Sequence, residues 1–441
     1  MNESQARLPR EPADFFTKPF ARFLQIETAS AGALLAVTLC AVILANSPWS
    51  TPFLDFWQMP LGVSIGYIEF TRSLQHWVND ALMTLFFFIV ALELKREMVV
   101  GELRNPRMAA LSLAAALGGM IVPATLYYIL ARGTQGAHGW GTVMATDTAF
   151  VIGCLAVLGA RIPLSLRLFL LSLAIFDDIG AILVVAIGYG ETLNWQALGL
   201  TAAGIALVPA MTWMGIRSIP VYFIVGGLIW LALDASGIHP TLAGVILGLL
   251  TPARGWVSDS RLHAILHRVV AHPPSKDWSG DTSDRHDLQR ANIATREAFS
   301  PVERLEILLH PWVAFIIMPL FALANAGIPI SLEKLDTALA SAIIAGLVVG
   351  KPVGVVLFSF LAVKLHLAQR PPDMNWGLLV GGGLLTGIGF TMSLFIAGLA
   401  YGPALLNSAK IGILVASSLA GICGLLLLLW QTRHFSLHVK G

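Results

Sequence analysis

Charge is scarce in this sequence. Only 12% of its 441 residues are Asp, Glu, Lys or Arg, against 56% hydrophobic, and an ordinary soluble domain carries about twice that charged share. The deficit excludes a water-facing surface over most of the chain. Cysteine is nearly absent too: Cys40, Cys154 and Cys423 all fall inside long apolar runs, which argues against a disulfide framework or a zinc site. The polar opening, to about residue 25, lacks the short apolar core and small-residue cleavage site of a secretory signal. The first apolar helix, near 29–45, is therefore expected to stay as an uncleaved anchor. A formal net charge of +2 gives no ground for a nucleic-acid partner.

What is present in abundance is apolar runs of spanning length. Taken against their breaks, they predict an all-α polytopic membrane protein with about twelve transmembrane helices, near 29–46, 74–96, 108–131, 139–159, 164–188, 196–215, 219–233, 240–253, 305–327, 338–363, 376–400 and 407–430. Several are short for a bilayer of about 30 Å, so tilted or partial spans are expected. The basic residues set the orientation. With the N-terminus inside, 23 of the 28 Lys and Arg fall on the inside; only Arg72, Arg132, Lys334 and Lys410 fall outside, and Lys351 lies within a span. Both termini are thus expected to be cytoplasmic, with 1–28 an N-terminal segment, 29–432 the transmembrane domain and 433–441 a tail.

Two loops interrupt the pattern. The outside segment 51–71 is rich in Phe, Trp, Ile and Tyr around Met59-Pro60-Leu61-Gly62, a composition that fits a β-hairpin and fits an irregular interfacial loop equally well. A bare hairpin is marginal alone, so pairing with a second copy would make sense. The inside segment 254–304 opens with a short basic amphipathic helix, Leu262, Ile265, Leu266 and Val269 on one face, suited to anionic lipid. From His272 to Arg296 it is polar and expected to be mobile. Order returns at Ser300-Pro301-Val302-Glu303, which reads as an N-cap, a proline at the first helical position and a capping-box acid.

Against this background the charges that hydropathy forbids carry the information. Asp177 and Asp178 sit in the middle of the run 164–188, where each carboxylate costs roughly 2.5–3.5 kcal/mol to insert. As helix neighbours their side chains diverge by about 100°, so they cannot share one partner equally. Lys351, between Val349 and Val353, is the basic residue at membrane depth and should pair with one aspartate. The other is left for a cation or a proton. Asp147 follows Thr146, whose oxygens suit a hard cation, in a span interrupted at Ala145-Thr146-Asp147-Thr148; Asp147 either offsets the half-helix ends together with Lys351 or simply caps the second half-helix. A matching break runs from Leu385 to Thr391. Together with Gly118-Gly119 and Gly350-Lys351-Pro352 in the preceding spans, it suggests inverted three-helix repeats, with two discontinuous helices crossing mid-membrane.

Nearer the span ends the alternatives are even. Asp80 caps the second helix or lines an outer funnel. Glu97, Glu306 and His310 form either a titrating cluster or a solvated charged boundary.

The motifs Val78-Asn-Asp80-Ala-Leu-Met83, Ala91-Leu-Glu93-Leu-Lys95-Arg-Glu97, Ala145-Thr-Asp147-Thr-Ala-Phe150, Leu173-Ala-Ile-Phe-Asp177-Asp178-Ile-Gly-Ala181, His239-Pro-Thr-Leu-Ala-Gly244, Leu305-Glu306-Ile-Leu-Leu-His310-Pro-Trp312, Gly350-Lys-Pro352 and Gly387-Ile-Gly-Phe-Thr-Met-Ser393 occur in this order from about Ala29 to Ser418. The set resembles the NhaA family of bacterial sodium/proton antiporters, whose fold is built from inverted repeats. The resemblance implies an electrogenic, pH-regulated antiporter of the bacterial inner membrane, not an enzyme, exchanging cytoplasmic Na+ or Li+ for external H+ without a cofactor. It implies Asp177 and Asp178 as the proton- and Na+-carrying pair, Thr146 as an accessory ligand, and Asp147 and Lys351 as compensating charges. Asp80 belongs to the outer funnel, Glu93, Glu97 and Glu306 to a pH-responsive cluster, and His239 to a pH-influencing position. Segment 51–71 matches a dimerising hairpin, so a homodimer is expected; the 254–304 loop is longer than in many members.

Burial favours a protonated carboxylate and a bound cation favours an ionised one, so Na+ and H+ compete for the same oxygens. A sodium-coupled solute symporter is the alternative reading. An intramembrane aspartyl protease also buries two aspartates, but on separate helices, one within Gly-x-Gly-Asp, and that motif does not occur here.

Overall fold

The computed structural model describes residues 27–65, 68–99, 101, 106–190, 192–216, 218–271, 282–329 and 335–438. Among them eight helices are long and apolar enough to cross a membrane: Leu74–Val99, Ala109–Leu130, Ala137–Leu158, Leu164–Ala186, Trp195–Trp213, Pro301–Asn325, Thr337–Lys364 and Pro403–Thr432. Two further pairs qualify only when joined across a bend, Ala29–Ala45 with Ser50–Gln58 at 112° and Trp376–Leu385 with Phe390–Ala400 at 49°, which raises the number to ten. The two other expected spans, near 219–233 and 240–253, are shorter helices. Ile219–Ala235 has 17 residues and Leu242–Leu250 only 9, and at 1.5 Å per residue about 20 are needed to cross the apolar core.

Three spans contain a π-helical stretch, Val78–Leu82, Val313–Ile317 and Ala345–Gly350. The second and third stand just ahead of Met318-Pro319 and Lys351-Pro352. A proline ring crowds the carbonyl four residues back and supplies no N–H, and a locally widened turn relieves both problems.

The chain divides into two compact units. The first comprises Met1–Leu82, Ala110–Tyr189 and Pro311–Gly441. Within it, helices Pro106–Leu130 and Thr337–Lys364 approach at Gly118 and Gly354: a Cβ on either would strike the carbonyl oxygen of the other. Such contact of small residues replaces the hydrophobic drive that helices lack in lipid. It brings Gly119 to 3.9 Å, measured from an added Cβ, of the Lys351 stem. In the same unit Lys410 is buried within the helix Pro403–His438.

The second unit comprises Met83–Ala109 and Gly190–His310. Here Leu242–Leu250 packs on Met83–Val99 through Gly244 and Gly248, whose added Cβ atoms would meet the backbone of Thr84 and Phe88.

Two local expectations need correction. Segment 51–71 is not strand from its start: Ser50–Gln58 is helical, and the antiparallel pair is Pro60–Ile65 with Ile68–Ser73, in register Leu61 to Arg72 and Val63 to Phe70. Pro60 cannot donate a ladder hydrogen bond and suits the first position of a strand. The polar stretch 272–296, expected to be mobile, contains the helix Thr282–Ala298, built from good helix formers with an Asp287–Arg290 pair at 3.6 Å. This helix packs against Asp259–Val270, whose apolar stripe, Leu262, Ile265, Leu266 and Val269, is half-buried. Residues 272–281 lie outside the described ones. The capping box at Ser300 is formed, with the Ser300 N–H donating to Glu303 Oε2 at 2.9 Å and the Glu303 N–H to Ser300 Oγ at 3.2 Å.

Candidate ion site

Within the first unit, the helical path of two spans fails where their backbones meet. The earlier span is a 3-10 helix over Ala137–Val143, extended through residues 145–147, then α-helical over Thr148–Leu158. The later one stops at Leu385 and restarts at Phe390. The two breaks hold each other: the Asp147 N–H donates to the Ile388 carbonyl at 2.6 Å, and the Thr146 hydroxyl reaches the Thr386 carbonyl at 3.0 Å. Backbone groups that a helix would have paired are thus paired across the crossing, as a nonaqueous interior requires.

Asp147 caps both half-helices. Its Oδ1 accepts from the Phe150 N–H at 3.2 Å, and its Oδ2 accepts from the Thr391 N–H at 3.0 Å and from the Thr391 hydroxyl. One carboxylate therefore faces two helix N-termini, the ends that carry positive partial charge. Lys351 faces the opposite kind of group. Its ammonium donates to the Met144 carbonyl, at the end of the 3-10 segment, and lies 2.6 Å from Asp177 Oδ2.

Asp177 and Asp178 project from the long helix Leu164–Gly188. Asp177 and Lys351 are fully buried, and Asp178, Asp147 and Thr146 are at most 3% exposed. The Thr146 hydroxyl stands 2.5 Å from Asp177 Oδ2. Having one proton, it can serve that carboxylate or the Thr386 carbonyl, not both fully. Asp177 Oδ1 has no hydrogen-bond partner among the described residues. Asp178 Oδ2 accepts from the Thr148 hydroxyl at 3.4 Å, so the two aspartates are served by different partners, as their angular separation on the helix requires.

The remaining residues singled out from the sequence lie elsewhere. Asp80, in the π-helical stretch, is buried and lies 2.8 Å from His76 Nε2 and 3.5 Å from Arg72. In the second unit Arg96 bridges Glu306 and Glu97, the latter at 3.3 Å, and His310 lies 3.6 Å from Glu93. Glu97 and Glu306 therefore share Arg96, and His310 joins Glu93 in the same patch. His239 Nδ1 pairs with the Thr241 hydroxyl at 2.8 Å, just before Leu242–Leu250.

Sequence reasoning missed the Met144 carbonyl, which no side-chain pattern can flag. It also missed Thr148 and Thr386 as oxygen donors, although both lie in the two Thr-containing breaks, and His76, whose four-residue spacing from Asp80 was a usable signal. No cluster of three or more His, Cys, Asp or Glu able to hold a metal ion occurs among the described residues.

Long apolar helices, two of them broken around buried carboxylates and one buried lysine, define the class of secondary ion transporters. A sequence profile described as Na+/H+ antiporter 1 matches residues 21–428. Over 428 residues the chain is 65% identical to the Na(+)/H(+) antiporter NhaA of Rhizobium meliloti, covering 97% of this chain and 98% of that protein. It is 58% identical to the Na(+)/H(+) antiporter NhaA 2 of Acidiphilium cryptum, over 96% of this chain and 94% of the relative. At 42% identity, the Na(+)/H(+) antiporter NhaA of Oleidesulfovibrio alaskensis still aligns over 95% of each. The chain belongs to the NhaA family of sodium/proton antiporters.

Proposed function

We propose that this chain exchanges Na+, or Li+, for H+ across the bacterial inner membrane, electrogenically and under pH control, with Asp177 and Asp178 carrying the ions. The observation that carries the reading is the set of oxygens gathered at the break: two buried aspartates, one with a carboxylate oxygen that bonds nothing among the described residues, beside the Thr146 hydroxyl. Hard cations take such carboxylate, hydroxyl and carbonyl oxygens.

The cation enters as the aspartates lose protons. When Asp177 gives up the Lys351 ammonium to a cation, Lys351 still holds the Met144 carbonyl; Asp147 keeps both half-helix ends neutralised throughout. If two protons leave for each Na+, one net charge crosses per cycle, and a potential of 100 mV contributes about 2.3 kcal/mol.

The same proposal includes twelve membrane helices in inverted three-helix repeats, residues 29–432 as the transport domain, cytoplasmic termini, and a homodimer formed through segment 51–71. It assigns Asp80 to the outer funnel, and Glu93, Glu97, Glu306, His310 and His239 to the pH response. Proteoliposomes holding the purified chain and a pH-sensitive dye give the test. Adding Na+ or Li+ should drive proton movement and adding K+ should not, with no organic solute required. A requirement for a co-transported solute would replace exchange by symport.

A further inference from the structure

Three of the chain's six tyrosines, Tyr127, Tyr189 and Tyr401, turn their hydroxyls onto one short piece of backbone, the 3-10 segment Ala137–Val143 and the glycine before it. Tyr127 donates to the Gly136 carbonyl at 2.5 Å. Tyr401 lies 2.8 Å from the Tyr127 hydroxyl and 3.3 Å from the Gly139 carbonyl. Since Tyr127 spends its single proton on Gly136, Tyr401 is the donor between the two phenols and shares its proton with Gly139. From the other side, Tyr189 donates to the His138 carbonyl at 3.1 Å and accepts from the Gly141 N–H at 3.2 Å. Tyr127 and Tyr401 are buried.

The backbone is shaped to receive them. A Cβ at Gly139 would fall on the Tyr401 hydroxyl and ring, and one at Gly141 would come within 2.8 Å of the Tyr189 hydroxyl. A 3-10 run this long is uncommon because its hydrogen bonds are poorly aligned, and this one is kinked at Gly139. The phenols add hydrogen bonds from outside to those the segment makes for itself, such as the Gly139 N–H to the Gly136 carbonyl at 3.0 Å. Beyond Gly141 the chain has three residues to Met144, whose carbonyl receives Lys351, and five to Thr146, which bonds Asp177.

We infer that Tyr127, Tyr189 and Tyr401 are positioning residues of the transport reaction: they clamp the segment Gly136–Gly141 and so fix where the Met144 carbonyl and the Thr146 hydroxyl meet Lys351, Asp177 and the cation. The inference rests on the proposed ion site and adds to it residues that never touch the ion. Removing a hydroxyl should loosen the ligand set and weaken cation binding, while the aspartates that carry the ions stay in place.

The test uses the full chain in proteoliposomes, with Tyr401→Phe, the pair Tyr127→Phe and Tyr401→Phe, and Tyr189→Phe, and with Tyr128→Phe as a control, since Tyr128 is exposed. The readouts are the apparent KM for Na+ and the maximal rate per folded protein. Losing one or two hydrogen bonds should raise KM about 3- to 10-fold, with the maximal rate within about twofold of wild type and Tyr128→Phe unchanged. A lower maximal rate or lower thermal stability at unchanged KM would make the phenols merely structural and overturn the inference. Tyr189→Phe, from the half-buried side, supplies the reading if the double variant does not fold. Asp178→Asn is assayed in parallel: if it is inert while the phenol variants keep wild-type KM, only the clamp is wrong, whereas exchange by Asp178→Asn overturns the ion site and the clamp with it.

Discussion

The crossing around Asp177 and the patch around Glu306 both gather acids near a basic group, but they differ in access to water. At the crossing Asp147, Asp177, Asp178, Thr146 and Lys351 are at most 3% exposed, and charges are met by charges, hydroxyls, helix ends or backbone groups at hydrogen-bond distance. In the patch the Arg96 and His310 side chains are 39% and 51% exposed, while Glu306 and Glu97 are 12% and 16%, so solvent reaches one member of each pair and screens it in part. Charges of the first kind are costly to keep and costlier to break, which suits groups whose occupancy drives transport. Charges of the second kind rearrange at small cost, which suits tuning.

The largest effect is expected from Asp178→Asn. The amide keeps the shape but can neither bind a proton nor balance a cation, so Na+-driven proton movement should vanish while folded protein remains in the membrane. Wild-type rates from that variant would remove the distinction.

Next in size is Lys351→Ala, which strands the fully buried Asp177 carboxylate. Breaking a buried pair by removing one partner costs about 3–5 kcal/mol, so thermal unfolding in detergent should move down markedly. The double variant with Asp177→Asn should recover part of that loss, because both charges are then gone. A double-mutant cycle without coupling energy would reject the pair.

A packing change comes third. Gly354→Ala places a methyl against the Gly118 carbonyl, and overpacking costs about 1–3 kcal/mol. Thermal stability should fall by an amount of that order, and Gly227→Ala, where an added Cβ meets nothing within 4 Å, should leave it unchanged.

The smallest loss is expected from Glu306→Gln. Removing a screened charge should move the pH of activation, by on the order of one unit, and leave the maximal rate at optimal pH nearly intact. Activity lost at every pH would place Glu306 on the transport path.

Much of the crossing is legible in the sequence because lipid forbids what the sequence contains. Asp177, Asp178 and Lys351 stand out as charges inside apolar runs, and the breaks at Ala145–Thr148 and Leu385–Thr391 as Thr and Gly where helix should continue. Less legible is anything done by backbone or by groups that pass as apolar. The Met144 carbonyl leaves no trace in composition, and Tyr127 and Tyr401 blend into hydrophobic surroundings although their hydroxyls organise the segment beside the site. Helix length is also hard to read from hydropathy. Leu242–Leu250 is apolar throughout, but Pro240 precedes it and Pro252 follows, and hydropathy counts the flanks that proline excludes from the helix. Polarity misled at Thr282–Ala298, where a polar helix is ordered against a neighbouring one.

The proposed exchange turns on competition between Na+ and H+ for the carboxylates of Asp177 and Asp178. Its most direct test is the apparent KM for Na+ measured as a function of pH in proteoliposomes of the wild-type chain. Competition predicts that KM rises as pH falls, approaching about tenfold per pH unit for each proton that must leave, whatever the pH-responsive patch does to the maximal rate. A KM independent of pH would mean that protons and Na+ do not share these carboxylates.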